Sequence, residues 1–457
     1  MQRTTTCVLL VSAALIVVLV LPNCARGSEA ASTSSHDSDS SHELFDEYQV
    51  GGGEEPAAFR TVGSGWSNTS GGFSPFGEPA ILSWSIVPDQ TVLPQGQSEP
   101  LSPSNLIAFL DGIHHGGAGP GGSDLTQRDW FPLIKSAFDR WDAVSGLKFS
   151  YEPSDDGVVN GIPTTALASA LGVSGVRGDH RIGGHSIDGS TSPTIVAYNY
   201  FPSNSDMVLD TDEAGRFGNP SDNYLRFRNT LMHEIGHGIG LNHVASAGHN
   251  FLMEGFLDTS IDGPQFDDIL GAHRLYGDRF EEDGGNDSPS LATPLGSFAL
   301  GQSVSLGADA VDAAVAPTDI DFLSINKSGD NDYFRFSVAS PSLVDILLTP
   351  LGPTYPEGPH GGTETPFDAS AKNNLRLYLY NSTGNSLLGF STGGGLGAEE
   401  SLINFALPAA GDYLIQIAGL QDAAQFYQLD LAVVPEPTSA ILLFAALTGW
   451  IASRRQT

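Results

Sequence analysis

Three histidines and one glutamate stand within residues 233–243, and this segment constrains the fold more than any other part of the chain. His233 and His237 are four residues apart, so on a helix both imidazoles project from one face. Gly240 can adopt a positive φ and end that helix. The chain can then turn so that His243 joins the first two histidines. The spacing therefore predicts a helix, a sharp turn and a cluster of three imidazoles.

This cluster has the ligand set of a catalytic zinc site. Imidazole nitrogens bind Zn²⁺ at about 2.0–2.1 Å, and a site with three protein ligands keeps its fourth position open for water. Glu234 follows the first ligand directly and is not needed as a ligand. A carboxylate there can take a proton from a water whose pKa the metal lowers toward about 7. The segment predicts amide hydrolysis, with His233, His237 and His243 as zinc ligands and Glu234 as general base. The alternatives are a helix of solvated histidines and an inactive site.

The charge balance limits the partners of the chain. Its 457 residues include 20 Lys and Arg against 53 Asp and Glu, a formal net charge of −33. Nothing in such a chain would neutralise nucleic-acid phosphates, and an anionic membrane surface would repel it. Its two cysteines, Cys7 and Cys24, both lie in the first segment. We therefore expect no nucleic-acid partner and no disulfide framework in the mature protein.

Both ends of the chain are predicted to be targeting segments. Residues 1–30 have a basic start, an apolar run and small residues at the end, which is typical of a cleaved signal peptide. Residues 433–457 contain Pro435-Glu436-Pro437, a short apolar run and two terminal arginines. This tail resembles the bacterial PEP-CTERM sorting signal. The resemblance implies export in a Gram-negative-type bacterium, processing by an exosortase-type system, a cell-surface or extracellular destination, and only transient membrane contact through the tail.

The mature chain divides into regions of different pattern. Residues 31–57 are acidic and polar and are predicted to be a flexible leader. Residues 58–278 combine helical spacing with strand-like alternation, and residues 279–290 are predicted to be a linker. Residues 291–432 carry short alternating segments between turns, which predicts an all-β sandwich. The helices expected in the region 58–278 span residues 130–144, 231–240 and 266–273.

The segment 233–243 carries the full metzincin signature, H-E-x-x-H-x-x-G-x-x-H. Met253 resembles the metzincin Met-turn, whose methionine lies beneath the metal. Over residues 58–278 the chain resembles the matrixin branch, as in segments 137–141 and 206–213. The resemblance implies an α+β catalytic domain. Its sheet is mixed, mostly parallel and five-stranded, with three helices, and a protein or peptide substrate lies along an edge strand.

The same resemblance implies a structural Ca²⁺. Asp210 and Glu213 fall where matrixins bind this ion, and Asp188 is a further candidate ligand. Carboxylate oxygens suit a hard cation such as Ca²⁺. The alternative is a solvated acidic turn.

The chain departs from the matrixin pattern after the methionine. Gly255 and Leu257 stand where matrixins place a proline and a tyrosine that shape the pocket for the residue after the scissile bond. The resemblance therefore carries no cleavage preference over to this chain.

The C-terminal region resembles the bacterial pre-peptidase C-terminal domain, through segments such as 332–336 and 407–413. This resemblance implies a non-catalytic β-sandwich appended to a secreted peptidase. Asp330 and Asp332 are interpreted as turn residues, with a metal site as the alternative. The whole pattern predicts a secreted or cell-surface zinc endopeptidase. A surface adhesion or matrix-binding protein with a vestigial zinc site is the alternative.

Overall fold

The computed structural model describes residues 43–44, 59–93, 96–97, 99–114, 122–158, 171–191 and 194–435. The predicted signal peptide, almost all of the predicted leader and residues 436–457 of the predicted sorting tail lie outside the described residues. Everything described belongs to one compact unit, Ser41–Thr457. None of the helices in these ranges combines the length and the hydropathy that crossing a membrane requires.

The region before residue 278 contains twelve short strands and five α-helices among its described residues. The strands are β1 Glu43–Leu44, β2 Asn68–Thr69, β3 Gly72–Phe73, β4 Ala80–Ile86, β5 Val92–Leu93, β6 Ser102–Pro103, β7 Leu147–Tyr151, β8 His180–His185, β9 Thr194–Ile195, β10 Ala197–Asn199, β11 Met207–Asp210 and β12 Val244–Ala245. The helices are α1 Leu106–Ile113, α2 Phe131–Ala143, α3 Ala214–Phe217, α4 Leu225–Ile239 and α5 Phe266–Tyr276.

Five strands form the main sheet, in the order β10-β11-β8-β4-β7. Strands β11, β8, β4 and β7 pair in parallel, and only the edge strand β10 is antiparallel to its neighbour. Strand β4, which has a parallel neighbour on each side, is buried at nearly every position, as expected for a parallel strand covered on both faces. On one face Trp84 stacks on Phe138 of α2 at a ring-centroid distance of 4.7 Å. The indole N–H of Trp141 then joins α2 to α4 by donating to the Met232 carbonyl, at 2.9 Å.

The expectation of three helices was too low for this region. Helix α1 buries Leu106 and Leu110, which are one helical turn apart, but the glycine-rich run that follows obscures the periodicity. Helix α3 is a single turn that buries Phe217. Helix α4 also begins earlier than its apolar spacing predicts, at Leu225, directly after Tyr224 in a left-handed conformation with φ 56°.

The region after residue 290 contains two five-stranded groups that face each other around a second core. One sheet has the order β13-β16-β23-β20-β21, and the other has the order β14-β24-β17-β22, with β15 beside β24. The strands are β13 Thr293–Phe298, β14 Ser303–Leu306, β15 Ser324–Ile325, β16 Asn331–Val338, β17 Ser342–Pro350, β18 Thr354–Pro359, β19 Thr365–Asp368, β20 Leu375–Asn381, β21 Leu387–Ser391, β22 Glu400–Leu407, β23 Gly411–Gly419 and β24 Gln425–Val434. Burial alternates along β16, as a sandwich strand requires.

One hairpin leaves the sandwich. Strands β18 and β19 pair with each other, and β18 pairs antiparallel with β12 of the first region. Strand β12 begins directly after His243. The sandwich therefore reaches the segment that the sequence singles out as the candidate metal site.

Candidate metal centre

Helix α4 and the turn after it place the three histidines. His233 and His237 lie one helical turn apart, and the helix ends at Gly240, whose φ is 106°. The backbone N–H of Leu241 donates to the Gly236 carbonyl at 2.8 Å, which reverses the chain. His243 follows this turn, and its imidazole lies against those of His233 and His237.

The three imidazoles converge through their Nε2 atoms. Each of the three pairs among His233, His237 and His243 has an Nε2–Nε2 distance of 3.1 Å, and all three side chains are buried. Tetrahedral ligands at about 2.0–2.1 Å from one Zn²⁺ lie about 3.3 Å apart, so this triangle fits one zinc ion.

Hydrogen bonds at the opposite ring nitrogens fix which atoms face the centre. The Nδ1 of His233 lies 2.6 Å from the Leu252 carbonyl, and the Nδ1 of His237 lies 2.8 Å from the Leu241 carbonyl. A carbonyl oxygen only accepts, so both Nδ1 atoms carry the proton and both Nε2 atoms present lone pairs. Burial is the main cause that holds the pKa of His233 and His243 well below the usual range. Neutral imidazoles with converging lone pairs are the donor set that a cation requires.

Glu234 follows His233 directly on α4 and is fully buried. Among the residues that the structure describes, neither of its carboxylate oxygens has a hydrogen-bond partner. Burial raises the pKa of this carboxyl well above its ordinary value. A buried carboxyl without partners carries a desolvation cost, which is typical of a functional group rather than of a structural one.

Met253 packs beneath the helix that carries the ligands. It is buried against Gly236, where a Cβ atom would collide with the methionine side chain. The carboxylate of Asp268, on α5, accepts from the backbone N–H of Leu252 at 2.8 Å and of Met253 at 3.0 Å. The Leu252 carbonyl in turn accepts from His233. The sequence alone did not indicate this role of Asp268, although Gln265 and Asp268 form a capping box at the start of α5.

The candidate calcium ligands lie at one edge of the main sheet. Asp210 ends β11, and its Oδ1 accepts from two backbone N–H groups, while burial raises its pKa to about 6. The Thr194 hydroxyl contacts Asp188 at 2.7 Å and Glu213 at 3.2 Å. Arg216 pairs with Glu213. Within the described ranges, these three carboxylates do not form a group whose ligand atoms all lie within 4.8 Å of one another.

A second group of acids does converge that closely. Glu281, Asp330 and Asp332 are buried, and they offer ligand atoms within 4.8 Å of one another. Asp332 lies within β16, so its interpretation as a turn residue was wrong. Burial raises the pKa of Asp330 to about 7 and that of Glu281 and Asp332 well above the ordinary range. Three buried carboxyls of this kind suit a hard cation.

Two family profiles match the chain. Residues 120–277 match the family described as Matrixin, and residues 330–419 match the family described as Bacterial pre-peptidase C-terminal domain. The chain therefore carries a matrixin domain followed by a β-rich pre-peptidase C-terminal domain.

Individual relatives match the first of these domains. The Hatching enzyme of Paracentrotus lividus is 33% identical over 159 residues, which are 34% of this chain and 24% of that protein. Matrix metalloproteinase-16 of Rattus norvegicus is 29% identical over 150 residues, which are 32% of this chain and 23% of that protein. The match thus spans about a quarter of the length of either relative.

One solved structure is similar to part of the chain. The pre-Peptidase C-terminal Domain of Collagenase from Bacillus anthracis matches 31% of this chain and 93% of its own, at 15% identity and a TM-score of 0.17.

Proposed function

We propose that this protein is a zinc-dependent endopeptidase that hydrolyses peptide bonds of protein or peptide substrates. The observation that carries the proposal is the triangle of buried Nε2 atoms of His233, His237 and His243, 3.1 Å apart. The next residue after His233, Glu234, has a buried carboxyl without a hydrogen-bond partner in the described chain. The matrixin profile and the metalloproteinase relatives support the same activity.

Each residue of the site has a distinct role in this proposal. Bound zinc would supply a Lewis acid that polarises the scissile carbonyl and lowers the pKa of a water. The three histidines would hold the ion through their Nε2 atoms. Glu234 accepts a proton from the attacking water and then gives it to the leaving amine nitrogen. Since Glu234 has no competing partner in the described structure, its carboxylate is available for both transfers.

We also propose that the protein is exported and acts at the cell surface or outside the cell. The predicted signal peptide 1–30 and the resemblance of residues 433–457 to a PEP-CTERM tail support this destination, with an exosortase-type system as partner. The pre-peptidase C-terminal domain is compatible with it.

A structural Ca²⁺ at Asp188, Asp210 and Glu213 is a further part of the proposal. The carboxylate oxygen Oδ2 of Asp210 is buried without a hydrogen-bond partner in the described chain, and Thr194 brings the other two carboxylates together. Arg216 would have to release Glu213 when the ion binds. Calcium should raise the unfolding temperature of the wild type more than that of Asp210→Asn.

The proposal is tested with purified zinc-loaded protein, a diverse peptide library and the variant Glu234→Ala. We expect the variant to keep its bound zinc, measured by atomic emission, and to lose cleavage by at least about a hundredfold. The variant Glu399→Ala, at an exposed carboxylate of the sandwich, should cleave like the wild type. Equal cleavage by Glu234→Ala and wild type would refute the enzyme and leave the adhesion or matrix-binding alternative.

A further inference from the structure

The sandwich hairpin and the metal centre share one small sheet. Strand β18 pairs with β12 in the register Val244 to Pro359 and Ala245 to Gly358. On its other side, the Val244 N–H donates to the Met253 carbonyl at 3.0 Å. One step further along this antiparallel register, His360 lies opposite His243.

His360 is therefore placed beside a candidate zinc ligand. The ring centroids of His243 and His360 are 5.8 Å apart, and the His360 side chain is exposed. An extended peptide rises about 3.3 Å per residue. A substrate whose scissile bond reaches the three imidazoles consequently brings a neighbouring residue within reach of His360.

Specific contacts hold the hairpin in this position. The Ser246 hydroxyl donates to the Pro356 carbonyl at 2.6 Å, and the Ala247 N–H donates to the Glu364 carboxylate at 2.7 Å. Tyr355 is buried, and its hydroxyl donates to Asp267 at 2.7 Å. A hairpin anchored at three points presents His360 in a fixed place.

Gly255 accounts for the close approach of His360. A Cβ atom at Gly255 would lie 2.6 Å from Cε1 of the His360 ring, which is closer than real Cβ contacts. The glycine that departs from the matrixin pattern thus leaves the space that this imidazole fills. Beside it, the ring of Phe256 lies 5.4 Å from that of His360 and is 40% exposed.

We propose that His360 and Phe256 form an aromatic subsite that selects an aromatic side chain next to the scissile bond. The subsite is assembled from both domains, so the sandwich contributes directly to substrate selection. Two exposed rings at this spacing can accept a third, because aromatic pairs favour centroid distances of about 4.5–7 Å. The proposal rests on the proposed endopeptidase function and adds a specificity-determining residue to it.

The first test compares cleavage-site profiles on a diverse peptide library. We expect the wild type to favour Phe, Tyr or Trp at one position flanking the cut. His360→Ala should reduce that preference by about two- to tenfold. Thr363→Ala, at an exposed residue of the same hairpin, is the matched control and should keep the profile. Gly255→Ala should reproduce the effect of His360→Ala, since its Cβ displaces the imidazole.

The second test measures binding in the full-length, zinc-loaded Glu234→Gln protein. Fluorescence anisotropy with labelled aromatic and alanine peptides should show tighter binding of the aromatic peptide, and His360→Ala should remove the difference. Zinc content and unfolding temperature verify that each variant is folded.

The two tests separate this inference from the proposed function. Unchanged profile and affinity in His360→Ala would overturn the subsite while the enzyme stands. If the wild type cleaves no peptide, the enzyme is overturned. If His360→Ala nevertheless removes the preference for the aromatic peptide in the binding assay, the subsite is supported. Absence of both cleavage and aromatic preference in binding would overturn the subsite as well.

Discussion

Replacement of Gly240 by alanine tests how the chain reversal positions the third histidine. Gly240 has a φ of 106°, a conformation that residues with a Cβ rarely adopt. A Cβ atom there would also lie 3.3 Å from Leu275, which would have to give way slightly, and at an ordinary contact distance of 3.5 Å from Pro202. Backbone strain of this kind costs about 1–3 kcal/mol. Loss of glycine flexibility in the unfolded chain returns about 0.4–1 kcal/mol. Strain dominates, and we expect Gly240→Ala to lower the free energy of unfolding by about 1–2 kcal/mol.

The same substitution should weaken zinc binding. His243 lies just beyond the reversal, and its Nε2 must remain 3.1 Å from both partners. Loss of groups that orient metal ligands commonly costs about 10–100-fold in metal affinity. We expect a loss in that range, measured by competition with a chromophoric chelator. Stability is measured by urea unfolding of the zinc-free protein.

Gly301 provides the matched control for this prediction. Its φ is 83°, and a Cβ atom there would meet nothing within 4 Å. Gly301→Ala should therefore carry comparable backbone strain in the sandwich and leave zinc affinity unchanged. If Gly240→Ala loses stability but binds zinc as tightly as Gly301→Ala, the reversal at Gly240 does not position His243, and the reasoning is wrong.

Three further changes have defined outcomes. Tyr355→Phe removes the hydroxyl that donates to Asp267, and burial raises the pKa of Asp267 to about 7. Urea unfolding should show that the free energy of unfolding falls by about 1–3 kcal/mol. The fall should be larger at pH 8 than at pH 5, because the hydrogen bond to the ionised carboxylate is stronger. In protein freed of divalent cations, the free energy of unfolding should fall as pH rises from about 4 to about 7, because burial raises the pKa of folded Asp330 to about 7, above that of an unfolded aspartate. Added Ca²⁺ should remove this fall if it binds Glu281, Asp330 and Asp332, and thermal unfolding across pH measures both effects. Chelation of zinc should lower the unfolding temperature. Zinc added back at about a thousand times its Kd should raise the free energy of unfolding by about 4 kcal/mol.

The metal triangle could be predicted from sequence because its geometry is local. One helical turn relates His233 to His237, and a single glycine reverses the chain before His243. Few other conformations of so short a segment are available. The tautomer of His233, by contrast, depends on the Leu252 carbonyl, which tertiary structure supplies.

The carboxyl cluster and the hairpin contact could not be predicted because they depend on pairing between distant segments. Asp330 and Asp332 have the composition of a turn, and only the sandwich brings them to Glu281. In the sequence, nothing distinguishes His360 from other exposed histidines. Only the pairing of β18 with β12 brings it to His243. Gly255 was the one sequence feature that pointed to this contact. It departs from the matrixin pattern, and the missing side chain leaves space for the His360 ring.

Contacts across the predicted linker make the sandwich part of the structure that supports the metal centre. The core around α5 continues into the sandwich, where Phe426 lies 5.1 Å from Phe266 and 4.9 Å from His273, measured between ring centroids. The hairpin adds Tyr355 to the same core and occupies the outer edge of β12. Removing the sandwich would expose this apolar surface and leave β12 without its outer partner, immediately after His243. We therefore expect the first domain to depend on the second for the strand edge that follows His243, a proposed zinc ligand, so cleavage assays need the chain through Val434.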